Sequence, residues 1–245
     1  MFSPPFSSAD VYLPALRERG FAVLDAPAVR ALSGASATGL AALAADWDQL
    51  APDDYLKDGG RYRQRRHASF IADAGEVQDV AYRPHWQPVD YNALHGGMQR
   101  WFAPIAPATL SQPDWRALQR WLAGTASALR GDQAWYGEAH QFRIDTTDGI
   151  GRPTPEGAHR DGVDLVAVFL VARHDIKGGE TRVFELDGPN GQRFTLEEPW
   201  SVLLIDDARV IHESTPIQPA TEGGHGHRDT LVMTLRAGGF LDPDA

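Results

Sequence analysis

The chain has 245 residues, with 23 Lys and Arg against 33 Asp and Glu, a formal charge of −10. Its 42% of apolar residues can bury a sizeable core unaided, and the lack of cysteine removes disulfides, thiolate nucleophiles, Fe–S clusters and Cys-type zinc sites together. The acidic balance speaks against a phosphate-backbone partner, so no nucleic acid is expected.

In chain order, Met1–Gly20 shows no basic segment followed by an apolar stretch, so no signal peptide is expected. Val11, Leu13 and Leu16 give Ala9–Arg19 a helical spacing that Gly20 stops. Phe21–Leu24 reads as a short strand. Pro27–Leu50 reads as one long Ala-rich helix, weakened by Gly34 and Gly39. The basic run Arg61, Arg63, Arg65 and Arg66 reads as a solvated strand with some inward Arg. In Gln112–Leu129 the residues Trp115, Leu118, Trp121, Leu122 and Leu129 form one helical stripe, closed by Gly131.

From Trp135 the pattern changes to short strands between turn signals: Trp135–Asp145, Asp164–Ala172, Thr181–Leu186, Arg193–Leu196, Ser201–Ile205, Val210–His212 and Thr230–Arg236. Asp187-Gly188-Pro189-Asn190-Gly191 is a hairpin loop by composition. Several strands are apolar on both faces, as where one side lines a barrel and the other meets helices. The longest apolar runs, Val163–Ala172 and Val202–Ile205, are too short to span a bilayer. No membrane partner is therefore expected, and a cytoplasmic location is. Strands without intervening helices favour a jelly roll over a βαβ sheet. The expectation is one mainly β (α+β) domain over 1–245. Residues 1–130 form a helical supporting half with short strands, and 131–240 form the β core that carries the site.

His159-Arg160-Asp161 puts an imidazole and a carboxylate two residues apart, and on an extended segment these point to the same side. His212 lies 51 positions later (212 − 161), after a run read as strand and turn. Two His and one carboxylate on one face of an ion leave the other face open, which is the facial triad of non-haem Fe(II) oxygenases. Alone, a His-x-Asp or a distant His is more often structural than ligating. Arg228, 16 positions after His212 (228 − 212), strengthens the pair. A 2-oxoglutarate chelating iron through its keto and C1-carboxylate oxygens leaves its far carboxylate needing a fixed cation. Arg presents a planar fork for it. Thr230 shares that strand face and adds a hydroxyl. Arg236 is a rival on the same face; Arg228 is favoured because it stands nearer the strand opening.

These residues, with Gly178-Gly179-Glu180-Thr181 and the strand Ser201–His212, follow the order seen in 2-oxoglutarate/Fe(II) dioxygenases, which the sequence resembles. More narrowly it resembles the bacterial group containing L-isoleucine 4-hydroxylase and the biofilm-stress-and-motility A-type proteins. His140-Gln141-Phe142-Arg143 and Gly96-Gly97-Met98-Gln99-Arg100 carry that narrower likeness. The resemblance implies a double-stranded β-helix (jelly roll, cupin-like) buttressed by N-terminal helices. It implies Fe(II), 2-oxoglutarate and O2 as cofactors, with His159, Asp161 and His212 on the metal and Arg228 and Thr230 on 2-oxoglutarate. The reaction implied is hydroxylation of a small polar molecule, a free L-amino acid foremost, with release of succinate and CO2. Where isoleucine hydroxylases of the group carry a Tyr after the His-Gln-x-Arg element, this chain has Ile144.

Arg66 is, by the same resemblance, a candidate for a substrate carboxylate. Gln141 and Arg143 share one strand face, and either an inward pocket position or a salt bridge explains them. Asp206 and Asp207 are candidates to orient His212. His225 and His227 fall in a Gly-rich loop. Asp161 speaks against a halogenase, in which a small residue stands at this position. Two further readings stay open. One is a cupin-type metal enzyme without 2-oxoglutarate, against which Arg228 speaks. The other is a non-catalytic ligand sensor in stress or biofilm regulation, against which the triad speaks.

Overall fold

Caps decide where the N-terminal helices run in the computed structural model, which describes residues 2–92 and 94–243. Helix α1 (Tyr12–Arg19) ends at Gly20, at φ 77°, where the left-handed turn suits a residue without Cβ. The single helix expected over Pro27–Leu50 is instead two, α2 (Ala26–Ser33) and α3 (Ala37–Ala44), followed by a 3-10 turn over Ala45–Gln49. Asp25 caps α2 by accepting from Ala28 N, and Ser36 caps α3 by accepting from Gly39 N. Gly34, at φ 76°, closes the first before the second begins. A new cap outweighs the propensity of the alanines between. The short α4 (Pro107–Leu110) precedes α5 (Pro113–Arg130), which buries Trp115, Leu118, Trp121 and Leu122.

The strands, in chain order, are β1 (Phe21–Leu24), β2 (Ala51–Pro52), β3 (Arg63–Asp73), β4 (Glu76–Asp79), β5 (Trp135–Asp145), β6 (Leu165–His174) and β7 (Ile176–Gly178). They continue with β8 (Thr181–Glu185), β9 (Gly191–Phe194), β10 (Val202–Asp206), β11 (Val210–Ser214), β12 (Ile217–Pro219) and β13 (His227–Ala237). One large antiparallel sheet runs β1-β10-β6-β13-β5-β3-β2, with β4 on β3. A smaller sheet runs β11-β8-β9, and β12 pairs with β7. The large sheet thus takes strands from both halves of the chain. Its β3 escapes hydrophobic patterning because Arg63, Arg65, His67 and Ser69 are buried along its first seven residues, ahead of Phe70 and Ala72. Inward Arg was expected there; the length of the strand was not.

Both faces of the large sheet are covered. Val166 and Leu170 of β6 meet Val183, Phe194 and Val210 of the smaller sheet, forming the inner core. Alternate residues Leu165, Ala167 and Phe169 point outward to the helices, among Leu16, Trp115 and Leu122. This is the double-stranded β-helix, with helices buttressing its outer face. No single helix among the described residues is long and apolar enough to cross a membrane.

Phe70 of β3 lies against its register partner, Gly137 of β5, and a Cβ at 137 would run into the ring. Gly137→Ala is therefore expected to cost about 1–3 kcal/mol, the range for overpacking. A denaturant midpoint equal to wild type would show that the ring yields freely.

Candidate metal centre and active site

The backbone brings two imidazoles together first. His159 and His212 form an isolated antiparallel bridge, each N–H donating to the other's carbonyl at 3.0 Å, with ring centroids 4.7 Å apart. Asp161 follows on the same extended segment. Its Oδ1 lies 3.8 Å from His159 Nε2 and its Oδ2 3.8 Å from His212 Nε2. These separations exceed a hydrogen bond and match the room taken by two bonds of about 2.1 Å meeting at one ion. His159 Nδ1 donates to Gly157 O at 2.9 Å, which turns Nε2 toward the carboxylate, and against burial Asp161 and Glu156 raise its pKa. Burial pushes His212 well below the ordinary histidine value and keeps it neutral. Two imidazoles and one carboxylate converging on one point fit Fe(II), the ion displacing any proton from His159 Nε2.

Asp207 fixes the loop that presents Asp161. Its carboxylate accepts the N–H groups of Asp161 (3.0 Å), Gly162 (2.8 Å) and Val163 (3.2 Å). Burial and the charge of Asp161 push Asp207 up to about 6, and the three donors oppose that shift. The sequence reading had Asp206 or Asp207 orienting His212; instead Asp207 holds the other arm of the triad, and Asp206 pairs with Arg130. Asp207→Ala is expected to weaken Fe(II) or Co(II) binding by about 10–100-fold, as for other outer partners of metal ligands. Asp207→Asn, which retains an acceptor, is expected to lose less. A metal titration giving wild-type affinity for the Ala variant would remove this role.

The triad opens onto a cavity of about 140 Å³. Arg228, Thr230, Val232 and Thr234, alternate residues of β13, line it. Arg228 is buried without an ion-pair partner among the described residues, and burial with the nearby Arg173 pushes it down to about 10. A sealed, uncompensated guanidinium beside a Thr hydroxyl fits the far carboxylate of 2-oxoglutarate. The rival Arg236 donates to Gly239 O and does not line the cavity.

The three substrate candidates stand elsewhere. On β5 the cavity face is Glu138, His140, Phe142 and Ile144, so Gln141 and Arg143 point to the opposite face. Gln141 is buried there with neither amide atom paired. Arg143 makes a two-armed bond to Asp229, at 2.8 Å for each arm, and reaches Asp48. Of the two explanations offered for this pair, Arg143 takes the salt bridge. Arg66 donates to Gln49 O on the same far side, while its neighbours Arg63 and Arg65 face the cavity. Strand parity produces all three displacements: one residue of shift exchanges the faces. His225 is exposed, and His227 pairs with Asp229.

The wall opposite the triad was missed. It comes from β3 and from segment 85–100, a loop without periodicity, pinned at its base by paired bonds between His85 and Arg100. Gln87, Asn92, His95 and Arg100 line the cavity from this segment. The only sequence signal was the Gly96–Arg100 element. Within this wall, His85, Glu138 and His140 line the cavity and, with His67 behind them, bring three imidazoles around one carboxylate at metal-like spacing. Arg65 Nη2 donates to His140 Nδ1 at 2.7 Å, however, which leaves the proton on Nε2 and no lone pair toward Glu138. The cluster is better described as a hydrogen-bond network that holds Glu138 ionised: against burial, His85 and His67 pull its pKa far down.

The sequence matches the 2OG-Fe dioxygenase family over residues 44–234. A crystal structure of a bsmA homologue from Methylobium petroleophilum PM1 is 50% identical, with a TM-score of 0.93, over 98% of each chain. IDO from Bacillus thuringiensis, at 18% identity, has a TM-score of 0.76 over 96% of this chain and 100% of that one. The Fe(II)/(alpha)ketoglutarate-dependent dioxygenase TqaL, at 20% identity, has a TM-score of 0.67 over 93% and 88%. These two show the fold alone. No protein of curated function matches the sequence. The first structure places the protein in the BsmA-like group, and the family match covers both the triad and Arg228. The chain belongs to the 2OG-Fe dioxygenase family, oxygenases that work with Fe(II), 2-oxoglutarate and O2.

Proposed function

We propose that the protein hydroxylates a C–H bond of a small polar substrate, foremost a free L-amino acid. In balance, 2-oxoglutarate, O2 and R–H give succinate, CO2 and R–OH. His159, Asp161 and His212 hold the iron, while Arg228 and Thr230 hold 2-oxoglutarate. The observation that carries this reading is Arg228, a buried cation without an ion-pair partner among the described residues, lining the cavity that the triad opens onto.

Bound iron supplies the O2 activation that couples decarboxylation to C–H oxidation. The chain's own residues do the rest. Arg228 orients the co-substrate, Asp207 stiffens the ligand loop, and the valines 163, 168 and 232 line the reaction space. The small cavity favours a small molecule. Glu156, which lines it with a buried Oε2 that has no partner, offers an acceptor for an ammonium group.

The test is an anaerobic titration with Fe(II) and 2-oxoglutarate, followed by aerobic screening of L-amino acids for succinate and hydroxylated product. Succinate with a matching hydroxylated amino acid is expected. Binding of 2-oxoglutarate without amino-acid turnover would sink the substrate assignment, and no binding would sink the co-substrate assignment.

A further inference from the structure

Three guanidiniums besides Arg228 line the cavity, and they are not equivalent. Arg63 donates to Asp53 at 2.7 Å. Arg65 shares that carboxylate at 3.7 Å and lies 3.5 Å over the ring of Phe102 and 4.3 Å over Phe142. Arg100, only 2% exposed, has no ion-pair partner among the described residues. Its Nη2 donates to Gln87 Oε1 at 2.9 Å, and its Nε has no partner at all. Glu138, the other carboxylate of this wall, is taken by Arg83 at 3.1 Å and His85 at 2.7 Å. A buried cation without counter-charge is unfavourable until a ligand supplies the anion. With 2-oxoglutarate on Arg228, Arg100 is still without an ion-pair partner among the described residues, and burial pushes it down to about 10 against the more distant carboxylates of Asp53, Glu156 and Glu138.

We infer that Arg100 binds a carboxylate carried by the substrate itself, and that Gln87 couples this second carboxylate site to the metal ligand Asp161. The inference rests on the proposed roles of Asp161 and 2-oxoglutarate. Gln87 Oε1 accepts from both Arg100 and Asn92 Nδ2, the latter at 3.2 Å, so its amide cannot turn over without losing both bonds. Its Nε2 therefore faces Asp161 Oδ1, at 3.2 Å. A carboxylate arriving at Arg100 competes with Gln87 Oε1 for the guanidinium. The hydrogen bond that Gln87 gives to Asp161 adjusts in turn. Coupling of this kind is reciprocal: metal occupancy alters carboxylate affinity by the same factor.

The experiment uses the full chain loaded with Co(II), which does not turn over and has a visible spectrum, and saturated with 2-oxoglutarate. Butyrate, pentanoate and hexanoate are titrated against their neutral amides, reading thermal midpoint and Co(II) spectrum together. The carboxylates are expected to bind at least about 30-fold more tightly than the amides, the lower bound for a buried charge contact. Arg100→Gln abolishes that preference while 2-oxoglutarate still stabilises the protein; Arg100→Lys keeps part of it and guards against a folding defect. The carboxylates also shift the Co(II) spectrum, and Gln87→Leu loses the shift while its carboxylate affinity stays within about threefold, as expected for loss of a positioning contact alone.

Amides binding as well as acids, or a preference that survives Arg100→Gln, would overturn the site. A spectral shift that survives Gln87→Leu would overturn the coupling. Failure of 2-oxoglutarate to stabilise the Co(II)-loaded wild type is a separate result, and overturns the underlying reading instead.

Discussion

Changing Asp161 to Ala is expected to abolish hydroxylation and to weaken Fe(II) binding by more than the 10–100-fold that follows loss of an outer hydrogen-bond partner. Asp161 would supply the one negative charge among the three proposed ligands, with each oxygen facing one histidine at 3.8 Å. Its removal leaves two neutral imidazoles, a poor site for a hard dication. The fold is expected to survive, because the side chain borders a cavity and Asp207 still receives the loop's N–H groups. Metal content, succinate and hydroxylated product, measured with excess Fe(II) beside a thermal melt, decide the matter. Wild-type turnover in a folded variant would eliminate the facial triad. Normal metal content with reduced turnover would move Asp161 out of the coordination sphere.

Arg228→Ala should act on the co-substrate and spare the metal. Losing one partner of a buried charge pair costs roughly 2–5 kcal/mol, or about 30- to 5000-fold in the dissociation constant for 2-oxoglutarate. Fe(II) affinity measured without 2-oxoglutarate is expected to stay near wild type, since the nearest ligands sit on β11 and the 159–161 segment and not on β13. The structure adds a sign to the stability effect. Arg228 is buried beside Arg173 without an ion-pair partner among the described residues, and burial and Arg173 outweigh Asp229, so the unliganded Ala variant is expected to be no less stable than unliganded wild type. It is then expected to gain little from added 2-oxoglutarate. Equal stabilisation of both proteins by 2-oxoglutarate would move the anchor away from Arg228.

The triad was legible because its chemistry is carried by residue type and parity. His159 and Asp161 differ by two on extended backbone, and an i, i+2 pair keeps its side whatever the register. The side taken by Gln141 stayed open for the complementary reason. β5 carries polar or bulky residues on both faces, so its sequence does not say which face is inward; register with β3 and β13 does. The long helix failed at Ser36, where a cap mattered more than alanine content. Segment 85–100 was illegible, since a loop held by side-chain bonds such as Arg100 to Gln87 has no period to read. Part of the cavity's polar lining lies there and on the arginine face of β3, where polarity conceals burial.

The order of strands in the large sheet bears on how the protein is made. β13, the last strand to leave the ribosome, lies between β6 and β5, and β1 waits for β10, with Phe21 pairing to Ile205. Throughout synthesis β5 and β6 therefore present facing, unpaired edges, one of them the apolar run Leu165–Val171. Such edges invite pairing between nascent chains. The residues that zip them shut, 227–237, also bring Arg228 and Thr230. A chain cut short before this strand would lose the proposed co-substrate anchor and the seam of its barrel in the same event, so incomplete products are expected to aggregate rather than to persist as folded proteins that bind iron without a co-substrate.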